Sequence, residues 1–132
     1  MKYLINGLIL FSFCLTIFIG CDDQVAGNDL KIPDSNVSYS QHIQPLFNKA
    51  CATSGCHDDI TMADGISLTT WSGTTADPSV VFPGEPDNSK LVWAIEGRAG
   101  IPAMPPPGYP AYLTENQING IKTWIDEGAK NN

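Results

Sequence analysis

The feature that most constrains this 132-residue chain is a short segment with two cysteines and a histidine, residues 51–57 (CATSGCH). A cysteine pair followed directly by histidine is typical of covalent haem attachment, in which the imidazole ligates the iron. The usual spacing is C-x-x-C-H, whereas four residues separate the cysteines here. The longer segment must bulge. We therefore expect a positive φ at Gly55, and the hydroxyls of Thr53 and Ser54 accepting hydrogen bonds from loop amides.

Two other uses of the cysteines Cys51 and Cys56 are open at this point. A disulfide is one, because an exported protein meets an oxidising compartment. It leaves the histidine that follows unexplained. A zinc site is the other, and it would need four ligands, for which the chain offers these cysteines with His42 and His57. The Cys-His junction favours one covalent haem c per chain, attached at Cys51 and Cys56 and ligated by His57.

A second candidate iron ligand, Met104, lies in a proline-rich segment, residues 101–107 (IPAMPPP). A methionine thioether can take the sixth position on a haem whose fifth ligand is histidine. The prolines fix φ and remove backbone donors, so the segment is stiff enough to present one sulfur atom. Met62 and His42 are rival sixth ligands, and an open sixth site is a further alternative.

The N-terminal segment, residues 1–20, has the character of an export signal. Lys2 precedes an apolar run that is shorter than the roughly 20 residues of a spanning helix. Gly20-Cys21 resembles the lipobox of bacterial lipoproteins, in which the cysteine is lipidated. An ordinary secretory signal with an incidental cysteine is the alternative. We expect a protein of the bacterial cell envelope, anchored to a membrane by lipid on Cys21 and either periplasmic or surface-exposed.

The organisation predicted from the sequence is a signal (1–20), a polar flexible tether (21–36) and one small domain (37–132). Without Lys2, six basic residues stand against fourteen acidic ones, a formal charge of −8. Such a charge excludes nucleic acid as a partner, because phosphate binding needs lysine and arginine. It suits a redox partner protein with a basic patch.

Helical patterns predict an all-α domain with long loops. The first helix is expected at 39–49 and a short one at 90–96, both with apolar residues at helical spacing. The last helix has the clearest start, a capping box formed by Thr114 and Gln117. Gly128 stands where a left-handed C-cap belongs.

Several short motifs, taken together in chain order, resemble a known family. They are 43–47 (IQPLF), 51–57 (CATSGCH), 65–68 (GISL), 83–91 (PGEPDNSKL), 103–106 (AMPP), 113–118 (LTENQI) and 124–129 (WIDEGA). This order resembles the planctomycete-type cytochrome c domain over about residues 37–130. The resemblance implies a small class I-like cytochrome c fold, with one haem between the first and last helices. It also implies thioethers at Cys51 and Cys56, and iron ligation by His57 and Met104.

The function expected from these features is that of a monohaem c-type cytochrome, an electron carrier and not an enzyme. Nothing in the chain resembles a pocket with paired acid and base groups. One alternative is a haem enzyme or sensor whose sixth site opens for a peroxide or a gas. Another is a non-haem lipoprotein module with a Cys51–Cys56 disulfide. Ligation by Met104 separates the first alternative from electron transfer.

Overall fold

The computed structural model describes residues 30–98 and 100–132, and within these ranges the chain is helical and has no β-strand. The prediction of an all-α class is confirmed for these residues. The predicted signal, Cys21 and the first part of the tether lie outside the described residues. In the part of the chain that the structure describes, no helix combines the length and the apolar character needed to cross a membrane.

The first helical region changes pitch along its length. A π-helical turn, Tyr39–Ile43, leads directly into the α-helix α1, Gln44–Ala50. The Ser38 hydroxyl caps the turn by accepting an amide hydrogen bond of 3.2 Å. Pro45 has no amide hydrogen to donate to the preceding turn, and the change from π to α geometry falls beside it. The helix predicted at 39–49 is therefore present, with an irregular first turn.

The middle of the chain forms short helices joined by loops. Two α-helices, α2 (Trp71–Thr74) and α3 (Lys90–Ile95), alternate with 3₁₀ turns at Ala63–Gly65 and Pro86–Asn88. The helix α3 begins where the sequence predicts and ends one residue earlier. With so little regular structure, this region depends on contacts with the rest of the domain for its position.

The longest helix, α4 (Glu115–Asp126), has the ends that the sequence predicts. The Thr114 amide donates to Gln117 Oε1 at 3.0 Å, and the Gln117 amide donates to Thr114 Oγ1 at 3.3 Å. Gly128 follows the helix at φ +97°, in the left-handed region. The capping box and the glycine C-cap are both confirmed.

The hydrophobic core joins α4 to the first helical region. Ile121, Trp124 and Ile125 of α4 are fully buried and belong to the same cluster as Phe47. The Tyr39 ring lies between the two elements, with its centroid 5.2 Å from that of Trp124 and 6.5 Å from that of Phe47. Burial of each large apolar side chain contributes about 1.5–3 kcal/mol, so this cluster is the main source of stability.

Residues 30–36, which we call the N-terminal strap, pack against α4. The Asn116 side chain accepts a hydrogen bond from the Ile32 amide and donates one to the Ile32 carbonyl, both at 2.9 Å. The Ile32 side chain is only 3% exposed and lies directly over Gly120. The predicted flexible tether extended to residue 36, whereas the structure places these residues on the domain.

Candidate functional site

A cavity of about 350 Å³ lies between the loop that follows α1 and the loop that follows α3. This volume is within the range of about 300–1,000 Å³ that is usual for small-molecule and cofactor sites. Cys51, Cys56, His57 and Met104 all line it. Most of the remaining wall is apolar and includes Ile66, Leu68, Leu91, Ile95, Ile101 and Tyr109. We call residues 51–57 the cysteine loop and residues 100–111 the methionine loop.

The His57 ring is oriented by a backbone carbonyl. Its Nδ1 lies 3.2 Å from the Ile66 oxygen. A carbonyl only accepts hydrogen bonds, so Nδ1 is the donor in this contact and Nε2 is the nitrogen left for a metal. The Leu68 amide donates to the His57 carbonyl at 2.9 Å and fixes the same segment. This arrangement is the one that metal-ligating histidines adopt, with one nitrogen held by the protein and the other available to a metal.

The cysteine loop folds so that both thiols reach one cavity. The Cys51 amide continues the hydrogen bonding of α1 by donating to the Phe47 carbonyl at 2.8 Å. The Cys56 amide donates to the Thr53 carbonyl at 3.0 Å, and the His57 amide returns to the Cys51 carbonyl at 3.1 Å. These bonds draw the ends of the segment together in spite of its extra length.

The expected bulge is present at Gly55, but different groups hold it. Gly55 has φ +84°, which confirms that prediction. Its amide donates to Asp58 Oδ2 at 3.0 Å and to Thr61 Oγ1 at 3.2 Å. The expectation that the Thr53 hydroxyl serves a loop amide is wrong. That hydroxyl lies 3.1 Å from the hydroxyl of Tyr109, in the methionine loop.

Asp58 is a structural residue of the site that the sequence analysis missed. Its carboxylate accepts hydrogen bonds from the amides of Thr61 at 2.8 Å, Ile60 at 2.7 Å and Gly55 at 3.0 Å. These bonds lower the pKa of Asp58 to about 2, with the Thr61 amide as the largest cause. An aspartate that precedes a polar loop commonly caps the turn in this way, so the signal was available in the sequence.

The two thiols are free in the structure, and both residues are half-buried. Burial raises the pKa of Cys51 to about 12, and repulsion from Cys56 adds to the shift. Cys51 is therefore a protonated thiol at neutral pH.

The zinc alternative needed His42 beside the cysteines. His42 Nδ1 instead accepts the Ser38 amide at 2.9 Å. Within residues 30–98 and 100–132, no three His, Cys, Asp or Glu side chains are grouped so that they could hold a metal ion. The described residues thus offer no set of ligands of the kind that zinc requires.

Met104 is fixed to α3 through its backbone. Its amide donates to the Ala94 carbonyl at 2.9 Å, and its side chain is half-buried in the cavity wall. The rival sixth ligands lie elsewhere. Met62 is 42% exposed, and neither Met62 nor His42 lines the cavity. Of the three candidates, only Met104 shares the cavity with His57.

One expectation about the cavity walls needs correction. The family resemblance implied a haem between the first and last helices, yet none of the cavity-lining residues belongs to α4, which is described in full. The end of α1, the helix α3 and the two loops form the walls. The apolar face of α4 is already covered by the core, and Gly120 of the same helix is covered by Ile32 of the strap.

Comparison with known protein families gives a match within the part of the chain that forms the cavity. Residues 54–108 match the family described as Planctomycete cytochrome C. The planctomycete-type cytochrome c resemblance is confirmed. The matched stretch contains Cys56, His57 and Met104 and begins three residues after Cys51. It is narrower than the range of 37–130 over which the sequence motifs were found.

The match over this stretch indicates a cytochrome-type function and implies haem c as the cofactor. No curated protein and no solved structure matches the chain. The matched stretch and the cavity lining have His57 and Met104 in common.

Proposed function

We propose that this chain is a monohaem c-type cytochrome that transfers single electrons in the bacterial cell envelope. One observation carries the proposal. Two thiols, an imidazole with a free Nε2 and a thioether, from two loops far apart in sequence, line one apolar cavity. The family match supports haem as the group that this donor set serves. A class I-like cytochrome c arrangement, with the cavity between α1 and α3, is part of the proposal.

The residues present fit a covalently attached haem. Cys51 and Cys56 would hold it through thioethers, and His57 Nε2 and the Met104 sulfur would ligate the iron. The half-buried, apolar wall suits a large flat macrocycle. When bound, haem supplies a one-electron couple between ferrous and ferric iron.

The chain itself supplies orientation and a dry environment. The Ile66 carbonyl holds the His57 ring and makes Nε2 a stronger ligand for iron. The bond from the Met104 amide to α3 would hold the thioether near one position. Apolar side chains such as Leu91 and Ile95 exclude water from the cavity. A dry site keeps the reorganisation energy of electron transfer small.

The decisive experiment replaces Met104 in protein from a host able to attach haem. A pyridine haemochrome spectrum and an intact mass first establish covalent haem. Met104→Ala should then lower the midpoint potential, because a neutral soft thioether favours ferrous iron. It should also remove the weak long-wavelength absorption of ferric His/Met haem and open the iron to carbon monoxide.

Met62→Ala is the matched control and should change none of these properties, because Met62 lies outside the cavity. A wild type that already binds carbon monoxide quickly, with a spectrum unaffected by Met104→Ala, would place the haem enzyme or sensor alternative ahead. A folded wild type without haem from a competent host would instead favour the non-haem module with a Cys51–Cys56 disulfide.

The proposed location rests on Cys21 and the proposed partner rests on charge. Lipid on Cys21 would anchor the domain to a membrane, and a charge of −8 after removal of the signal would favour a redox protein with a basic patch. Cys21→Ala should release the protein from membranes, because each buried methylene of an acyl chain contributes roughly 0.8 kcal/mol. Retention of this variant in the membrane fraction after a high-salt wash would show that another element is the anchor.

A further inference from the structure

We propose that the Thr53–Tyr109 hydrogen bond is a positioning contact that keeps the methionine loop closed over the haem. The inference rests on the proposed function, because it concerns the loop that would present the distal ligand. The two hydroxyl oxygens lie 3.1 Å apart and are partly buried. Tyr109 also lines the cavity, so the contact stands at its edge.

Few backbone hydrogen bonds are described for the methionine loop. Its Met104 amide is bound to Ala94 of α3 at 2.9 Å, and the buried Ala111 ends it. Between these points the loop is stabilised locally by the Tyr109 amide, which donates to the Pro106 carbonyl at 3.0 Å. The Tyr109 hydroxyl adds a bond to a different part of the chain, and it lies five residues from the proposed ligand.

The other partner belongs to the unusually long segment between the cysteines. The Thr53 carbonyl accepts the Cys56 amide at 3.0 Å, so one residue both shapes the cysteine loop and extends a hydroxyl to the methionine loop. The departure from C-x-x-C spacing thereby acquires a function. The four-residue segment supplies a side chain that couples the covalent attachment site to the loop carrying Met104.

An external ligand can reach the iron only after the Met104 sulfur has moved away. Movement of the loop that carries Tyr109 away from the cysteine loop breaks the hydroxyl–hydroxyl bond, which disfavours the open state. The net contribution of such a bond corresponds to roughly a two- to tenfold change in an equilibrium constant. Its loss should raise the apparent affinity of an incoming ligand by that factor, without changing the ligand set of the resting protein.

The test measures imidazole binding to the ferric, haem-loaded protein by absorption spectroscopy. Thr53→Val and Tyr109→Phe each remove one hydroxyl and keep the shape of the side chain. Each should raise the imidazole affinity by roughly two- to tenfold. Thr53→Ser keeps the hydroxyl and should match wild type. Ser54→Ala removes the neighbouring exposed hydroxyl and should also match wild type.

The double variant Thr53→Val/Tyr109→Phe should bind imidazole no more tightly than either single variant, because both remove the same bond. Additive effects, unchanged affinities or an equal change in Ser54→Ala would overturn the inference while leaving a haem-loaded, Met104-ligated protein. A wild type without haem, or without the His/Met absorption, would overturn the proposed function itself, and the two failures are therefore distinct.

Discussion

The two sides of this domain are stabilised in different ways. On the α4 side, large apolar side chains are fully buried, the helix has a side-chain cap at its start and a glycine at its end, and the strap covers Gly120. On the cavity side, the residues Cys51, His57 and Met104 are half-buried and lie on loops. Hydrogen bonds to backbone groups hold these loops in place.

The contrast separates the residues that give the domain its stability from those that give it a site. Packing free energy is concentrated in the cluster that contains Trp124 and Phe47, and no residue of α4 lines the cavity. The loops can then vary in length, as the cysteine loop does, without disturbing the core. Substitutions on the two sides should therefore differ in size and in their dependence on haem.

The largest effect is expected from Trp124→Ala, which leaves a cavity in the core and should reduce the free energy of unfolding by about 3–5 kcal/mol. Ile101→Ala, on the cavity side, should cost less than about 1 kcal/mol in haem-free protein, since Ile101 is only half-buried. Urea unfolding with and without haem measures both. Haem should increase the cost of Ile101→Ala and leave that of Trp124→Ala unchanged. Equal costs for the two variants would contradict the division into two sides.

An intermediate effect is expected from Gly120→Ala, which tests the strap. A Cβ at residue 120 would lie 2.6 Å from the Ile32 Cβ, and overpacking of this kind costs about 1–3 kcal/mol. The gain in helix propensity is smaller, roughly 1 kcal/mol, so the variant should be less stable than wild type.

In an Ile32→Gly background the obstructing side chain is absent, and Gly120→Ala should become neutral or stabilising. Thermal or urea unfolding of the four proteins gives the comparison. A Gly120→Ala cost that is the same in both backgrounds would show that the strap does not pack on α4 in solution.

The smallest effect is expected from Glu96→Gln at the surface between α3 and α4. Glu96 accepts from Lys122 Nζ and from Arg98, both at 2.7 Å, and the Lys122 contact is the main cause of its lowered pKa. Because the folded pKa lies below the unfolded value of about 4.3, the contribution is present above that pH and is lost as the pH falls below it.

At pH 7 the substitution should cost no more than about 1 kcal/mol, and high salt should reduce the cost. Denaturation of wild type and variant at pH 7 and near pH 3 gives the test. The exposed Asp126→Asn serves as the charge-matched control. A Glu96→Gln cost that persists at the lower pH would mean that packing, and not charge, is responsible.

Local patterns predicted much of this molecule. The capping box at Thr114 and the glycine after α4 are read within a few residues, and both are where the sequence predicts. The Cys-His junction and the methionine in a proline-rich segment identified four residues that line one cavity. Their roles as haem ligands stay predictions. These signals are reliable because each one is formed by residues that are close together in the sequence.

What was missed depends on residues far apart in the chain. Ile32 reads as one apolar residue in a polar segment, and its partners Asn116 and Gly120 are more than eighty residues away. The Thr53–Tyr109 contact spans 56 positions in the same way. Sequence periodicity reports which face of an element is apolar but not which element covers it. The expectation that α4 would form a wall of the cavity came from the family resemblance, which does not report what covers that helix in this chain.

The position of Ile32 sets how far the domain could move if Cys21 carries the lipid. A flexible segment ending at residue 36 would extend at most about 55 Å, at about 3.3–3.6 Å per residue. With the chain fixed to α4 from Leu30 onward, the length from Cys21 to the domain is at most about 30 Å. The protein would then work close to its own bilayer, and a redox partner embedded in or bound to that membrane would be within range. A partner on the opposite side of a wide compartment would have to approach the membrane to exchange an electron.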